Sequence, residues 1–197
     1  MYVIIILYDR KFRKRRRRER TPAKAVMRGG HTAMFSIGDY VVHPLHGAGQ
    51  IEDIVEEKIA GVKKKYYVFN MPAGSLVLKI PTSSAGAVGI RNVITEPEAD
   101  KLMEAIPSLT VESNANWNKR YQENLSRLKS GDLYEVAKVI KSLVQRESQR
   151  GLSTGERKML YNAKQIIISE IVLAKRSEYE DVENSLMDAM RKDPKGH

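Results

Sequence analysis

The residues best suited to contact a ligand surround the chain's single tryptophan, in the string Asn116-Trp117-Asn118-Lys119-Arg120-Tyr121. An apolar side chain beside cations can enter a DNA minor groove, where the ring unstacks a base step while Lys and Arg hold the adjacent phosphates. A lone tryptophan near a helix start is more often a core residue or a hydrophobic staple. Taken by itself, the string favours a core tryptophan over a wedge.

Positive charge is concentrated around the same tryptophan. The net charge is −4 over residues 94–112, +6 over residues 113–164 and −2 over residues 165–197. A basic stretch within a nearly neutral region is typical of a phosphate-facing surface. It is equally typical of the solvated face of a neutral helical bundle, so charge alone gives the two interpretations equal weight.

The sequence offers little that could support catalysis. It contains no cysteine, which excludes a disulfide-stapled scaffold, a thiol catalyst and a Cys-ligated metal site. Residues 151–157 come nearest to a nucleotide-binding P-loop, but their glycine spacing is wrong and the required lysine is missing. His43 and His46 lack further metal ligands and are expected to shape a turn beside Pro44. We therefore expect neither an enzyme nor a bound cofactor or metal.

The net charge of +10 comes almost entirely from residues 1–33, which hold eleven Lys or Arg against two acidic residues. The arginine-rich run at residues 10–18 could bind phosphate backbones by counterion release. Because runs of like charge are more often disordered, we interpret residues 1–33 as a basic disordered extension, or as the result of a start codon assigned too far upstream. The aliphatic stretch at residues 3–7 is far shorter than a membrane span of about 20 residues, and we expect no membrane association.

Residues 34–93 carry the pattern of a small β-domain. Short runs rich in β-branched and aromatic residues are separated by Gly and Pro. This spacing predicts a half-open barrel of about 60 residues. Gly47 and Gly49 are expected to mark a bend or bulge. The predicted strands are residues 40–43, 50–57, 65–69, 76–80 and 88–91.

Residues 94–192 change to a period of 3.6, which predicts an all-α bundle of about five helices, followed by a tail at residues 193–197. Thr95-Glu96-Pro97-Glu98 and Ser153-Thr154-Gly155-Glu156 have the spacing of capping boxes and mark two helix starts. Asn114 or Asn116 is expected to cap the helix that contains Trp117. The chain is therefore predicted to be an α+β protein of two domains, joined near residues 93–96.

Several separated motifs resemble one known family. The string FSIGDYVVHPLHGAG at residues 35–49 resembles the opening of the CarD/CdnL family of bacterial transcription regulators. The resemblance covers about residues 34–190, and residues 1–33 have no counterpart in it. Its helical motifs here are Asn116-Trp117, Lys119-Arg120-Tyr121, Asn124-Leu125, Ser130-Gly131-Asp132, Arg150-Gly151-Leu152-Ser153 and Gly155-Glu156.

The resemblance implies a specific function. In this family a Tudor-like β-domain, shared with transcription-repair coupling factors, binds the lobe of the RNA polymerase β subunit. The helical domain contacts promoter DNA at the upstream edge of the −10 element, largely independently of sequence. The family's tryptophan, which matches Trp117, wedges into the minor groove where the bubble begins and stabilises the open complex. The resemblance thereby reverses the ranking for Trp117, and it implies a monomer located in the cytoplasm and associated with the nucleoid through RNA polymerase.

The resemblance also implies which residues make contact. Family members often present a basic residue in the hairpin between the second and third strands, whereas residues 55–58 here are mainly acidic, so the polymerase-contacting set stays open. The pairing edge is expected around Lys79-Ile80. The expected DNA contacts are Asn116, Trp117, Lys119, Arg120, Gln122 and Arg150, and the expected polymerase contacts are Ile59, Lys79, Ile80, Pro81 and Arg91.

Two other functions can be compared with this one. A protein-interaction adaptor that does not bind DNA would use the β-domain and bury Trp117 in the helical core. A repair-coupling translocase would need an ATPase motif, which the sequence lacks.

Overall fold

A computed structural model describes residues 4–5, 35–59, 61–71, 76–111 and 116–192. The chain divides into two compact units. One comprises Met1–Val41 and Gly49–Arg91, and the other comprises Val42–Ala48 and Asn92–His197. The division after Arg91 lies close to the expected junction, whereas the sequence did not indicate that Val42–Ala48 groups with the helices.

The β-domain is built on one sheet in the order β1-β5-β4-β3-β2-β6. A long antiparallel hairpin of β3 and β4 forms its centre, with a register shift between Ile51 and Asp53. Alternating apolar positions of the strands face a core that includes Val41, Phe69 and Leu78. The strands are β1 (Ile4–Ile5), β2 (Tyr40–His43), β3 (Gly47–Ile59), β4 (Val62–Met71), β5 (Leu76–Pro81) and β6 (Arg91–Asn92).

Two sequence-based expectations for this unit need correction. Ala85–Val88 forms a one-turn helix, α1, where the last strand was expected to begin. Gly89 ends this helix with φ of 85°, and its backbone N–H donates to the carbonyl oxygens of Ala85 and Gly86. β6 therefore starts only at Arg91. Within the segment interpreted as disordered, Ile4–Ile5 is a strand paired with β5, while the rest of residues 1–33 lies outside the described residues.

Five longer helices follow, as the period of 3.6 predicts. Both capping boxes are present, at Thr95 before α2 and at Ser153 before α5. The helices bury a shared core that includes Leu102, Ile140 and Ile167. Their bounds are α2 (Glu96–Ala105), α3 (Trp117–Lys129), α4 (Leu133–Arg150), α5 (Thr154–Lys175) and α6 (Tyr179–Arg191).

Residues 42–48, which belong to the string that resembles the CarD/CdnL family, pack closely against α5. The backbone N–H of Ala48 donates to the Ser169 hydroxyl at 2.8 Å. A Cβ on Gly47 would lie 2.4 Å from that hydroxyl oxygen and 3.1 Å from the carbonyl oxygen of Gln165. Only glycine fits this approach, which also requires a positive φ of 84° at Gly47.

The predicted class is confirmed. The chain is an α+β protein, with a Tudor-like β-domain followed by a helical domain. Within the described residues, no helix combines the length and hydropathy that crossing a membrane requires.

Candidate nucleic-acid interface

Trp117 is the first residue of α3 and lies on the surface. Asn116 caps the helix, its side-chain oxygen accepting from the backbone N–H of Lys119 at 3.1 Å. The Trp117 side chain is 44% exposed, and its ring stacks on Tyr121 with centroids 5.3 Å apart and planes 24° apart. Because Trp117 is absent from the buried helical core, the interpretation as a core residue, on which the adaptor alternative depended, is wrong.

The Ser153 hydroxyl holds the other side of the indole. The Trp117 Nε1–H donates to Ser153 Oγ at 3.3 Å. The same oxygen accepts from the backbone N–H of Glu156 at 3.3 Å and donates to its carboxylate at 2.8 Å. The one donor and two acceptor positions of a hydroxyl are thus all used. The tryptophan of α3 is therefore tied to the N-terminal cap of α5.

The first turn of α5 lies against the aromatic pair at Gly155. A Cβ at this position would be 3.6 Å from Tyr121 Cε2 and 4.0 Å from Trp117 Cζ2, which are ordinary contact distances. The two rings thus lie next to the start of α5, where the Tyr121 stack and the Ser153 hydrogen bond hold the indole.

Arg120 is corrected from a DNA contact to an internal ion pair. Arg120 is only 3% exposed. Its guanidinium donates to Glu156 Oε1 from Nη2 at 2.9 Å and from Nε at 3.1 Å. Trp117, Arg120 and Tyr121 share one face of α3 because residues three and four apart are neighbours on a helix. That face is directed at α5, so Arg120 holds the two helix starts together instead of meeting phosphate.

Glu156 is the charge centre of this junction. Burial raises the pKa of Glu156, but the Ser153 backbone N–H, the Arg120 guanidinium and the Ser153 hydroxyl together lower it below the usual value of 4.5. Arg146 adds a second cation, with Nε 3.3 Å from the same carboxylate oxygen. The ionised carboxylate thus anchors both the cap and Arg120.

The other expected DNA-contacting residues are exposed. Lys119 and Gln122 lie on α3, and Arg150 ends α4. Arg150 is three residues before Ser153, so its Cα is at most about 11 Å from the residue that binds the indole. An exposed cation thus lies three residues before the cap of α5.

Burial and ion pairing divide these cations of the basic stretch into three groups. Arg120 and Lys141 are buried, and Lys141 donates to the carbonyl oxygens of Ile106 and Pro107. Arg127 and Lys138 both pair with Glu135. The exposed cations near the starts of α3 and α5, for which the described residues provide no ion-pair partner, are Lys119, Arg150, Arg157 and Lys158.

The sequence did not indicate that Ser153, Glu156, Arg157 and Lys158 belong to this site. The capping box does mark Ser153 and Glu156 as a pair, and the four-residue spacing of Trp117 and Tyr121 places their two rings on one helix face. The capping box was interpreted only as a helix start, and nothing in the sequence shows that this cap meets the indole.

The expected polymerase contacts do not lie along one edge. Ile80 is 1% exposed and belongs to the β-domain core, so that only its backbone could take part in the expected strand pairing. Lys79 and Pro81 are half-buried on the same strand, and Lys79 pairs with Glu57. Ile59 is 42% exposed at the end of β3, whereas Arg91 lies on β6 at the opposite edge in the strand order.

His43 and His46 form the expected turn. The backbone N–H of His46 donates to the His43 carbonyl oxygen, and that of Leu45 donates to His43 Nδ1. Burial, together with a smaller contribution from His46, lowers the pKa of His43 to about 4. Among the described residues, no group of three or more His, Cys, Asp or Glu could hold a metal ion.

Comparison with known proteins agrees with this architecture. Residues 35–94 match the CarD-like/TRCF RID domain, and residues 101–187 match the CarD C-terminal domain. A protein of Bacillus subtilis (strain 168), named "Putative transcription factor YdeB", is 34% identical over 142 residues, which cover 72% of this chain and 93% of the relative.

The fold and the matched domains thus define a two-domain transcription factor. The chain belongs to the CarD family.

Proposed function

We propose that this protein docks on the β subunit of RNA polymerase through its β-domain and stabilises the promoter open complex with Trp117. In this proposal the indole enters the minor groove at the upstream edge of the bubble. The observation that carries the proposal is an exposed indole held by Ser153 and Tyr121 at the start of α3. The partner is supported by the match of the β-domain to the CarD-like/TRCF RID domain.

The fixed position of Trp117 suits insertion into DNA. A side chain already held by one hydrogen bond and one ring stack loses little conformational freedom on binding, and this lowers the entropic cost of association. Its exposed part remains available to stack on a base. The hydrogen bond to Ser153 also satisfies the indole N–H, so the ring needs no polar partner in the groove.

The wedge should favour melted DNA. Because an inserted ring fits only a partly unstacked base step, it binds the open complex better than the closed one, and the equilibrium shifts by that difference in affinity. Stacking of a base on an aromatic side chain contributes about 1–3 kcal/mol. A difference of about 1.4 kcal/mol already changes the open population tenfold.

Phosphate contacts would come from the exposed cations near the starts of α3 and α5. Lys119, Arg150, Arg157 and Lys158 can neutralise phosphates on either side of the groove. Such contacts carry no sequence information, which agrees with recognition by position rather than by base identity. Attachment to polymerase would supply the position by raising the local concentration of promoter DNA.

Docking on polymerase is proposed to use the side of β5 that faces away from β4, where β1 pairs at two positions. An edge strand can accept an extended segment of a partner through main-chain hydrogen bonds. Lys79 and Pro81 would then flank the added strand, and buried Ile80 would contribute its backbone only.

Dissociation of open complexes tests the proposal. The wild-type protein is expected to slow dissociation of preformed complexes after a heparin challenge by about tenfold, since stacking energies are of this size. Trp117→Ala should remove most of this effect and leave polymerase binding intact. Tyr134→Ala is a matched control, because Tyr134 is 41% exposed and also lies in the first turn of its helix. Full activity of Trp117→Ala, or an equal loss with Tyr134→Ala, would refute the wedge.

A further inference from the structure

The outer edge of β5 is occupied by the chain's own N-terminal segment. β1 pairs antiparallel with β5, with Ile4 opposite Lys79 and Ile5 opposite Leu78. On its other side, β5 pairs with β4 along its whole length. At these two positions, β5 therefore has a strand on both sides.

We propose that β1 is an autoinhibitory strand that competes with RNA polymerase for the β5 edge. This inference rests on the proposed function, in which β5 accepts a strand of the polymerase. An edge presents a single row of N–H and C=O groups, so only one further strand can pair there at a time. Polymerase binding then requires that β1 leave the edge.

β1 lies outside the matched domain, which begins at residue 35. Among the residues whose burial the structure describes, the β-domain core begins at Phe35. The strand that pairs with β5 therefore comes from outside the segment that the domain match defines.

The size of β1 suits partial inhibition. It has two residues and makes few main-chain hydrogen bonds, each of modest net strength. It belongs to the same chain as β5, so it meets the edge at a much higher effective concentration than a free peptide would. If β1 were paired in nine of ten molecules, the apparent Kd for polymerase would be about tenfold weaker than that of the open edge.

Proline substitutions in the full-length chain test this inference. Ile4→Pro with Ile5→Pro removes both backbone N–H groups and prevents strand pairing. Ala23→Pro with Ala25→Pro adds two prolines outside β1 as the control. The Kd for RNA polymerase and amide hydrogen exchange in β5 without polymerase are measured for all three proteins.

The β1 variant is expected to bind polymerase about three- to tenfold more tightly than the wild type, with faster exchange in β5, while the control variant matches the wild type. Equal affinities and equal exchange for all three proteins would overturn the autoinhibition and leave the proposed docking standing. Weaker binding by the β1 variant would also overturn it, because β1 would then assist docking. Absence of polymerase binding in all three would refute the proposed function and this inference with it. Protection of β5 that rises with protein concentration would assign the pairing to a second copy and overturn competition within one chain.

Discussion

The Trp117 indole N–H and the Ser153 hydroxyl are hydrogen-bonded at 3.3 Å across 36 residues of chain. This bond connects the first residue of α3 to the N-terminal cap of α5. The same hydroxyl belongs to a capping box with Glu156, whose carboxylate also binds Arg120. The orientation of the exposed ring therefore depends on helix capping and on a buried ion pair.

Replacement of Ser153 should free the indole and weaken α5. Ser153→Ala removes an N-cap hydroxyl, which costs about 1 kcal/mol of the free energy of unfolding. Because Trp117 is the only tryptophan, emission excited at wavelengths that tyrosine does not absorb reports on this ring alone. Acrylamide quenching should increase in Ser153→Ala and stay near the wild-type value in Ser153→Thr, which keeps the hydroxyl. Equal quenching in all three proteins would show that the bond does not hold the ring.

Removal of two adjacent cations, Lys119 and Arg120, should affect different properties of the protein. Arg120→Ala leaves Glu156 buried without its main partner, and breaking such a pair costs about 3–5 kcal/mol of unfolding free energy. Lys119→Ala should leave stability nearly unchanged and lower the salt slope of DNA binding by about one, as for one lost phosphate contact. Thermal unfolding and DNA titrations at several salt concentrations measure both effects. A stable Arg120→Ala protein with a reduced salt slope would return Arg120 to the DNA surface.

Ionisation of Glu156 should make the folded state more stable at neutral pH than at acidic pH. Despite burial, its hydrogen bonds and the Arg120 charge give its folded state a lowered pKa. This stabilisation is complete above the unfolded pKa and is lost as the pH falls through the folded pKa. Unfolding in urea between pH 3 and pH 7 should show a smaller loss of stability with acid in Glu156→Gln than in the wild type. Parallel curves for the two proteins would contradict this role.

His43 should make stability rise between about pH 4 and pH 6.5. Its folded pKa of about 4 lies below its usual 6.5, so the unfolded chain binds more protons in this range and folding becomes more favourable as the pH increases. His43→Asn keeps a short acceptor for the Leu45 N–H and should reduce this slope, while His46, whose pKa burial also lowers, keeps part of it. Urea unfolding at pH 5.0 and pH 6.5 measures the difference. The same slope in His43→Asn and the wild type would show that His43 is not responsible.

Much of the fold follows from local sequence patterns. The capping boxes at Thr95 and Ser153 predicted two helix starts because side-chain and backbone groups three residues apart satisfy each other. Ala85–Val88 was missed since a single helical turn has no measurable period. The strand at Ile4–Ile5 was missed because its pairing with β5 lies more than seventy residues away in the sequence.

The site was less accessible from the sequence. Trp117 and the neighbouring charges could be found from residue type, but Lys119 and Arg120 were indistinguishable until the structure showed that only Arg120 is buried. The depth of a side chain in a bundle depends on how α3 and α5 pack, which no local pattern encodes. The depth of Ile80 was likewise not evident from the sequence. Its residue type fits an edge contact, but the strand pairing places its side chain in the core.

Photo-crosslinking from position 117 tests the central claim most directly. Trp117→p-benzoylphenylalanine keeps an aromatic side chain and forms covalent bonds with the groups that it touches in the polymerase–promoter complex. Crosslinks to bases at the upstream edge of the bubble are expected in open complexes and not in closed ones, and the same probe at Tyr134 should give none at that edge. Crosslinks from position 117 to protein alone, or to DNA equally in closed and open complexes, would contradict insertion of Trp117 at the bubble.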